Sequence, residues 1–236
     1  MALPVINVPT YKANIPSTKE EITFRPFLVK EEKILLLALE DGGDDSIAGA
    51  IKQIIHNCTF EQVDVNRLAT FDLEYVFLRI RAKSVGEVAK VQVLCEDDGE
   101  TYVEAEVPLD KVKVDFPEGH TNQIQLTDEI GVMMAYPDMN DMYRGMEEGQ
   151  NSIDFSVGLI KTAVAQIFEG ETVHEKADFG EDELTEFLES LTSDQFQSLQ
   201  NFFETMPRLS HTVTVTNPNT KKKNKIKLEG LNSFFV

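Results

Sequence analysis

Apolar side chains are densest between Leu68 and Gly86, and their spacing predicts the element around which the chain is built. On a helix, Leu68, Phe71, Tyr75, Leu78 and Ala82 form one stripe, and Leu73, Val76, Phe77 and Ile80 form a second on the opposite side. Such a helix must be covered twice. Asp72, Arg79 and Lys83 fall in one gap and Glu74 and Arg81 in the other, at the seams between two packed layers, where long basic stems reach water. A strand from Glu74 to Ala82 is the rival reading, because Val76, Leu78, Ile80 and Ala82 also alternate. The length of the stretch and its lack of internal breakers favour the helix.

The flanking patterns place the other elements. Pro4, Pro9 and Pro16 make residues 1–20 an expected extended arm, free to lie on a neighbour. Ile22–Val29 and Lys33–Leu39 read as two short buried strands around the charged turn Lys30-Glu-Glu32, although the second could begin a helix. Asp41–Ser46 is a loop ending in N-cap residues, and Ile47, Ala50, Ile51, Ile54 and Ile55 then keep helical spacing. The loop lacks the alternating ligands and the twelfth-position glutamate of a calcium loop. Lys90–Cys95 and Thr101–Val107 alternate around Glu96–Glu100 as a hairpin, Val112–Phe116 continues as strand, and Gln123–Thr127 pairs with Ile130–Tyr136.

Further on, Asp138–Met146 is a short helix candidate and Ile153–Phe168 a longer one, stopped by Gly170. Glu181–Leu191 is amphipathic with acids at its start, and Thr192 and Gln195 have the spacing of a capping box before Phe196, Leu199, Phe202, Phe203 and Met206. His211–Thr216 and Lys225–Glu229 close the chain as a second hairpin around Asn217–Lys223, followed by an apolar tail. These patterns give an α+β fold, antiparallel hairpins packed with amphipathic helices. They divide it into the arm (1–20), an α+β core (21–137), a helical segment (138–207) and a hairpin with tail (208–236).

Charge changes this picture more than composition does. With 41 acidic against 22 basic residues, a net −19, the surface repels nucleic-acid phosphate at long range, so no nucleic-acid partner is expected. No run approaches the roughly 20 apolar residues of a membrane span, and the first ten residues lack the pattern of a secretion signal. The two hairpins share a Val-x-Val strand running into a polar turn, the outline of a zinc ribbon. Cys95 stands alone in one turn and Asn217 occupies the comparable turn of the other, so no metal and no cofactor is expected. His56, His120, His174 and His211 are scattered, and phosphate-binding and nucleophile-elbow motifs are absent, so no catalytic residue is assigned.

Three segments carry a family resemblance: Tyr75–Glu87, with its Arg-Ala-Lys-Ser-Val-Gly-Glu string; Ala135-Tyr-Pro137; and Val213–Thr220 leading to Leu228-Glu-Gly-Leu-Asn-Ser-Phe-Phe235. Over most of its length the chain resembles the baseplate hub assembly proteins of T-even-type contractile-tailed bacteriophages. It departs from them where related sequences carry cysteine knuckles. The resemblance implies a late structural protein of the viral tail, not an enzyme, that binds other hub and tail proteins in the host cytoplasm and joins the virion baseplate. Leu231, Phe234 and Phe235, an apolar hook, and Lys221, Lys222 and Lys223, the one basic cluster, are the candidate partner contacts. A tail-associated cell-wall glycan hydrolase is the alternative, which two convergent carboxylates in a cleft would reveal.

Overall fold

The computed structural model describes residues 6–139 and 152–234, with the side chains of 44 and 152–155 left aside. The described residues form six helices and eleven strands in small antiparallel sheets, an α+β fold. They divide into two compact units, Met1–Asp115 with Arg208–Val236, and Phe116–Pro207.

The first unit is built around α3 (Thr70–Ser84), the helix expected over 68–86. Phe71, Leu73, Val76, Phe77, Leu78, Ile80 and Ala82 are all buried, so both apolar stripes are covered. Each large side chain among them contributes roughly 1.5–3 kcal/mol of burial. Helix α2 (Asp44–Cys58) packs against α3, and so do strands β5 (Lys113–Asp115) and β10 (Arg208–Thr216). The polar residues at the seams tether neighbouring segments. Asp72 accepts the Ser17 N–H at 3.0 Å and the Ser17 hydroxyl at 2.5 Å. Arg79 donates to the carbonyls of Leu109 (2.8 Å) and Val112 (2.5 Å).

Three elements around α3 differ from the sequence pattern. Lys33–Leu39 is helical, inside α1 (Val29–Asp41), and the expected turn at Lys30–Glu32 is its first turn. Strand β2 is confined to Glu21–Phe24, ahead of Pro26, where it pairs with β1 (Tyr11–Asn14), so part of the expected arm forms a hairpin in its own unit. The helix follows from Glu31, whose carboxylate accepts the Leu28 N–H at 2.9 Å and caps the first turn. Gly42, at φ +71°, ends α1, and Gly43 is the N-cap of α2, where aspartate or serine was expected; Ser46 instead donates to Asp41 across the short connection.

A buried ion pair joins these pieces. The Arg25 guanidinium meets Glu31 at 3.0 and 3.2 Å and also reaches the Asn57 carbonyl at the end of α2. Burial raises the Glu31 pKa, but hydrogen bonds from Arg25 and the Leu28 N–H outweigh it and hold the carboxyl below its usual range.

Two hairpins complete the unit. Strand β3 (Val88–Leu94) pairs with β4 (Tyr102–Pro108), and β10 pairs with both β5 and β11 (Lys223–Glu229) in the order β11-β10-β5. Asp115 and Arg208 are register partners, so the second unit is inserted between two adjacent strand ends.

In the second unit, β6 (Gln123–Gln125), β7 (Ile130–Met134), β8 (Val164–Glu169) and β9 (Thr172–Glu175) form one antiparallel sheet in sequence order. Helices α4 (Ser152–Ala163), α5 (Glu181–Glu189) and α6 (Ser193–Glu204) belong to the same unit, and Ile160, Leu184, Leu188, Leu199 and Phe202 share a core with Val132 and Met134. The helix expected over 153–168 ends at Ala163. Val164–Glu169 pairs instead with β7, and Gly170, at φ +60°, turns the chain into β9 rather than ending a helix. Thr192 and Gln195 form the expected capping box. The expected helix at Asp138–Met146 lies almost wholly on 140–151, outside the described residues.

Replacing Arg25 by Met removes the two-pronged partner of the buried Glu31 and leaves it with Lys30 at 3.4 Å and the Leu28 N–H, and chemical denaturation should show a loss of about 1.5–3 kcal/mol. The double variant R25M/E31L should recover most of it. A single-variant loss under about 1 kcal/mol would show that the pair is not what joins α1 to α2.

Candidate functional site: two joined hairpin turns

The turns of the β3–β4 and β10–β11 hairpins are built alike. In the first, the Cys95 N–H donates to the Thr101 carbonyl (2.8 Å) and the Gly99 N–H returns to the Cys95 carbonyl (3.0 Å), with Gly99 at φ +69°. In the second, the Asn217 N–H donates to the Lys222 carbonyl (2.9 Å) and the Lys221 N–H returns to the Asn217 carbonyl (3.0 Å), with Lys221 at φ +62°. Cys95 and Asn217 are therefore equivalent, and so are Asp98 and Thr220 three residues on. That i, i+3 spacing on paired turns is the spacing of metal-binding knuckles.

The side chains present do not fit a zinc ion. One cysteine, one aspartate, one asparagine and one threonine stand at the four positions, and among the described residues no cluster of histidine, cysteine and acidic side chains could hold a metal. Burial and the nearby Asp97 and Asp98 push the Cys95 thiol up, which keeps it protonated.

Hydrogen bonds join the turns instead. The Asn217 amide donates to Asp97 at 2.9 Å and to Asp98 at 2.8 Å, and the Asn224 amide donates to Asp97 at 2.8 Å. The Asp97 N–H returns to the Asn224 side-chain oxygen at 3.0 Å, and Thr220 donates to Asp97. Asn217 is fully buried and its own oxygen accepts the N–H groups of Asn219 and Thr220. Thr101 and Asn217 hold the Asp98 carboxyl far below its usual range, and Thr220 and Asn217 do the same, less strongly, for Asp97. Both carboxylates are thus ionised acceptors in a fixed clasp.

The clasp sets the base of a basic surface. Lys221, Lys222 and Lys223 are exposed at and beside the second turn, and Lys225 and Lys227 continue the exposed side of β11 opposite Thr214 and Thr212. Lys227 is paired with Asp115 (3.2 Å) and Glu229 (2.9 Å), and Lys221 donates to the Pro218 carbonyl. Lys222, Lys223 and Lys225 have no ion pair among the described residues.

The other candidate contacts are placed differently. Leu231 and Phe234 are buried within their own unit, in a 3₁₀ turn against β3, β11 and α3; Phe235 lies outside the described residues. The Leu231 N–H donates to Glu74 at 3.1 Å, and burial pushes the Glu74 carboxyl up to about 7. The sequence pattern missed Asp97, Asp98, Asn217, Thr220 and Asn224 as one cluster. Its legible trace is the matching pair of strings Cys95-x-x-Asp98-Gly99 and Asn217-Pro-x-Thr220.

An open groove in the second unit, lined by Ile130, Ile167, Phe179 and Phe187, has carboxylates at its lip. Asp178 accepts the Glu175 N–H and Glu183 the Gly180 N–H, both at 2.8 Å, so these two hold turns and a helix start.

Compared with known proteins, residues 8–236 match the model of the family described as T4 bacteriophage base plate protein. No curated protein and no solved structure matches the chain.

Two outcomes test the chemistry of this region. Chelator should leave the melting temperature unchanged, while Asn217→Ala, which removes one buried donor from each of Asp97 and Asp98 and leaves the rest of their partners in place, should cost about 1–3 kcal/mol. Because the folded pKa values of both aspartates are depressed, the clasp's contribution is present at neutral pH and falls as pH drops below about 4; Asp98→Asn should flatten that decline in acid melts. Glu74 has the opposite sign. Its raised pKa makes stability fall as pH rises from about 4.5 to 7, and Glu74→Gln should melt a few degrees higher than the parent at pH 8 and no higher at pH 4.

Proposed function

The chain belongs to the T4 bacteriophage base plate protein family, and we propose that within the baseplate it is a structural subunit of the central hub, assembled by binding other hub proteins. Family membership makes it a phage baseplate protein of the virion tail. The hub assignment rests on the likeness of Tyr75–Glu87 and the C-terminal segment to hub assembly proteins of contractile tails. Assembly in the host cytoplasm as a late protein is part of the same proposal.

The observation that carries partner binding is the row of exposed lysines on an otherwise acidic chain. A bare run of lysines in a loop is usually only solvated. Here the turn is held by a buried asparagine and two ionised aspartates, and strand register continues the row through Lys225. Ordering beforehand lowers the entropic cost of docking. The fitting partner surface is acidic. Leu231 and Phe234 act in this proposal by anchoring the end of β11, and so the lysine face, to α3.

Co-expression with the other baseplate proteins of the same genome, followed by size-exclusion chromatography with light scattering, tests this reading. A stable complex is expected, weakened by added salt and by K221E/K222E/K223E. Three exposed ion pairs together predict a roughly tenfold loss. A complex indifferent to both changes moves the contact off this face, and a lone chain with every candidate overturns the hub assignment.

A further inference from the structure

We propose that the outward face of α1 is a self-association surface, on which a second copy of this chain packs its own α1 antiparallel across a two-fold axis. Val29 is 79% exposed, Leu36 and Leu39 are each 55% exposed and Leu37 is 54% exposed, whereas Ala38 and Glu31 on the opposite side are buried. Helical geometry places Val29, Leu36 and Leu39 on one stripe, which the exposed Glu32 shares at its N-terminal end, with Leu37 at its flank. Single exposed apolar residues are ordinary, but four on one short helix make a patch that water covers at a cost.

Charge identifies the occupant. Down one flank of α1 run Lys30, Lys33, Leu37, Glu40 and Asp41, all exposed. Lys30 is already within 3.4 Å of Glu31 on its own helix, so Lys33 and Glu40, on either side of Leu37, are the charges that make the row complementary to itself when reversed. Antiparallel packing with Leu36 near the two-fold axis brings Lys33 of each copy to Glu40 of the other. It also opposes the two helix dipoles, and like flanks meet, as an isologous interface requires. A parallel pairing would set lysine on lysine and acid on acid. A uniformly basic partner helix would meet Lys30 and Lys33. The chain's net −19 repels a second copy at long range, but screening at physiological salt confines that repulsion to about 8 Å.

The surface differs from the lysine row of β11, so either proposal can fail alone. Sedimentation equilibrium of the full chain over a concentration series gives the test. A reversible dimer is expected, and Leu36→Glu, a change on an exposed helical face checked by circular dichroism, should raise its dissociation constant at least about tenfold. Lys33→Glu and Glu40→Lys should each weaken it, because each places like charges together twice. An equimolar mixture of those two variants should dimerise again, since their heterodimer restores both pairs. A wild-type chain that stays monomeric to its solubility limit overturns the proposal. So does a dimer indifferent to Leu36→Glu, or a failure of the mixed variants to recover.

Discussion

The first unit depends on covering α3 from both sides. A helix with Phe71 and Leu78 on one stripe and Val76 and Ile80 on the other cannot lie on a surface. Helices and strands therefore supply separate covers, and the chain must leave α3 and return to it more than once. That requirement explains why β10 and β11, more than a hundred residues after α3, belong to the same unit. It is also compatible with the insertion of the second unit between β5 and β10, whose adjacent ends let a compact segment leave and return without opening the sheet.

Apolar burial of this kind is undirected and would tolerate several arrangements of the covers. Polar contacts choose among them. Asp72 fixes Ser17, Glu74 fixes Leu231, and Arg79 fixes the carbonyls of Leu109 and Val112. Arg25 and Glu31 set the start of α1 against the end of α2. Each removes groups from water at a cost that only one geometry recovers. The clasp applies the same logic at the hairpin turns, where two carboxylates and two buried amides join strands over a hundred residues apart without a metal ion.

What the sequence disclosed divides along that line. The amphipathic period of α2 and α3, the alternation of β3, β4, β10 and β11, and the Thr192 cap are properties of a few neighbouring residues, and they were legible. Ile34–Leu39 was ambiguous because a continuous apolar run has no period; the carboxylate of Glu31, just ahead of it, decides for helix. Ile153–Phe168 kept a helical register across a boundary that only pairing with β7 creates. The resemblance of the two turns could be read from their strings, but not their union, since Asn217 and Asp98 stand 119 residues apart in the chain. Burial of Leu231 and Phe234 was equally a long-range matter, settled by Glu74 and β3.

The first unit therefore presents two surfaces of different chemistry, on α1 and on β11, which pack on the α2 and β10 covers of α3. The outer face of α1 is apolar with a self-complementary charge row, and β11 presents lysines held by the clasp. Neither is required to bury α3, whose stripes are already covered by other residues of these elements. A fold selected only for its own stability would gain from polar residues at Leu36 and Leu39, and from fewer like charges along β11. Both features cost the isolated chain something, and both suit a subunit whose working state is an assembly. Under the two proposals, assembly takes the apolar face out of water and gives the lysines acidic partners, so the two unfavourable features of the free chain become favourable in the bound one.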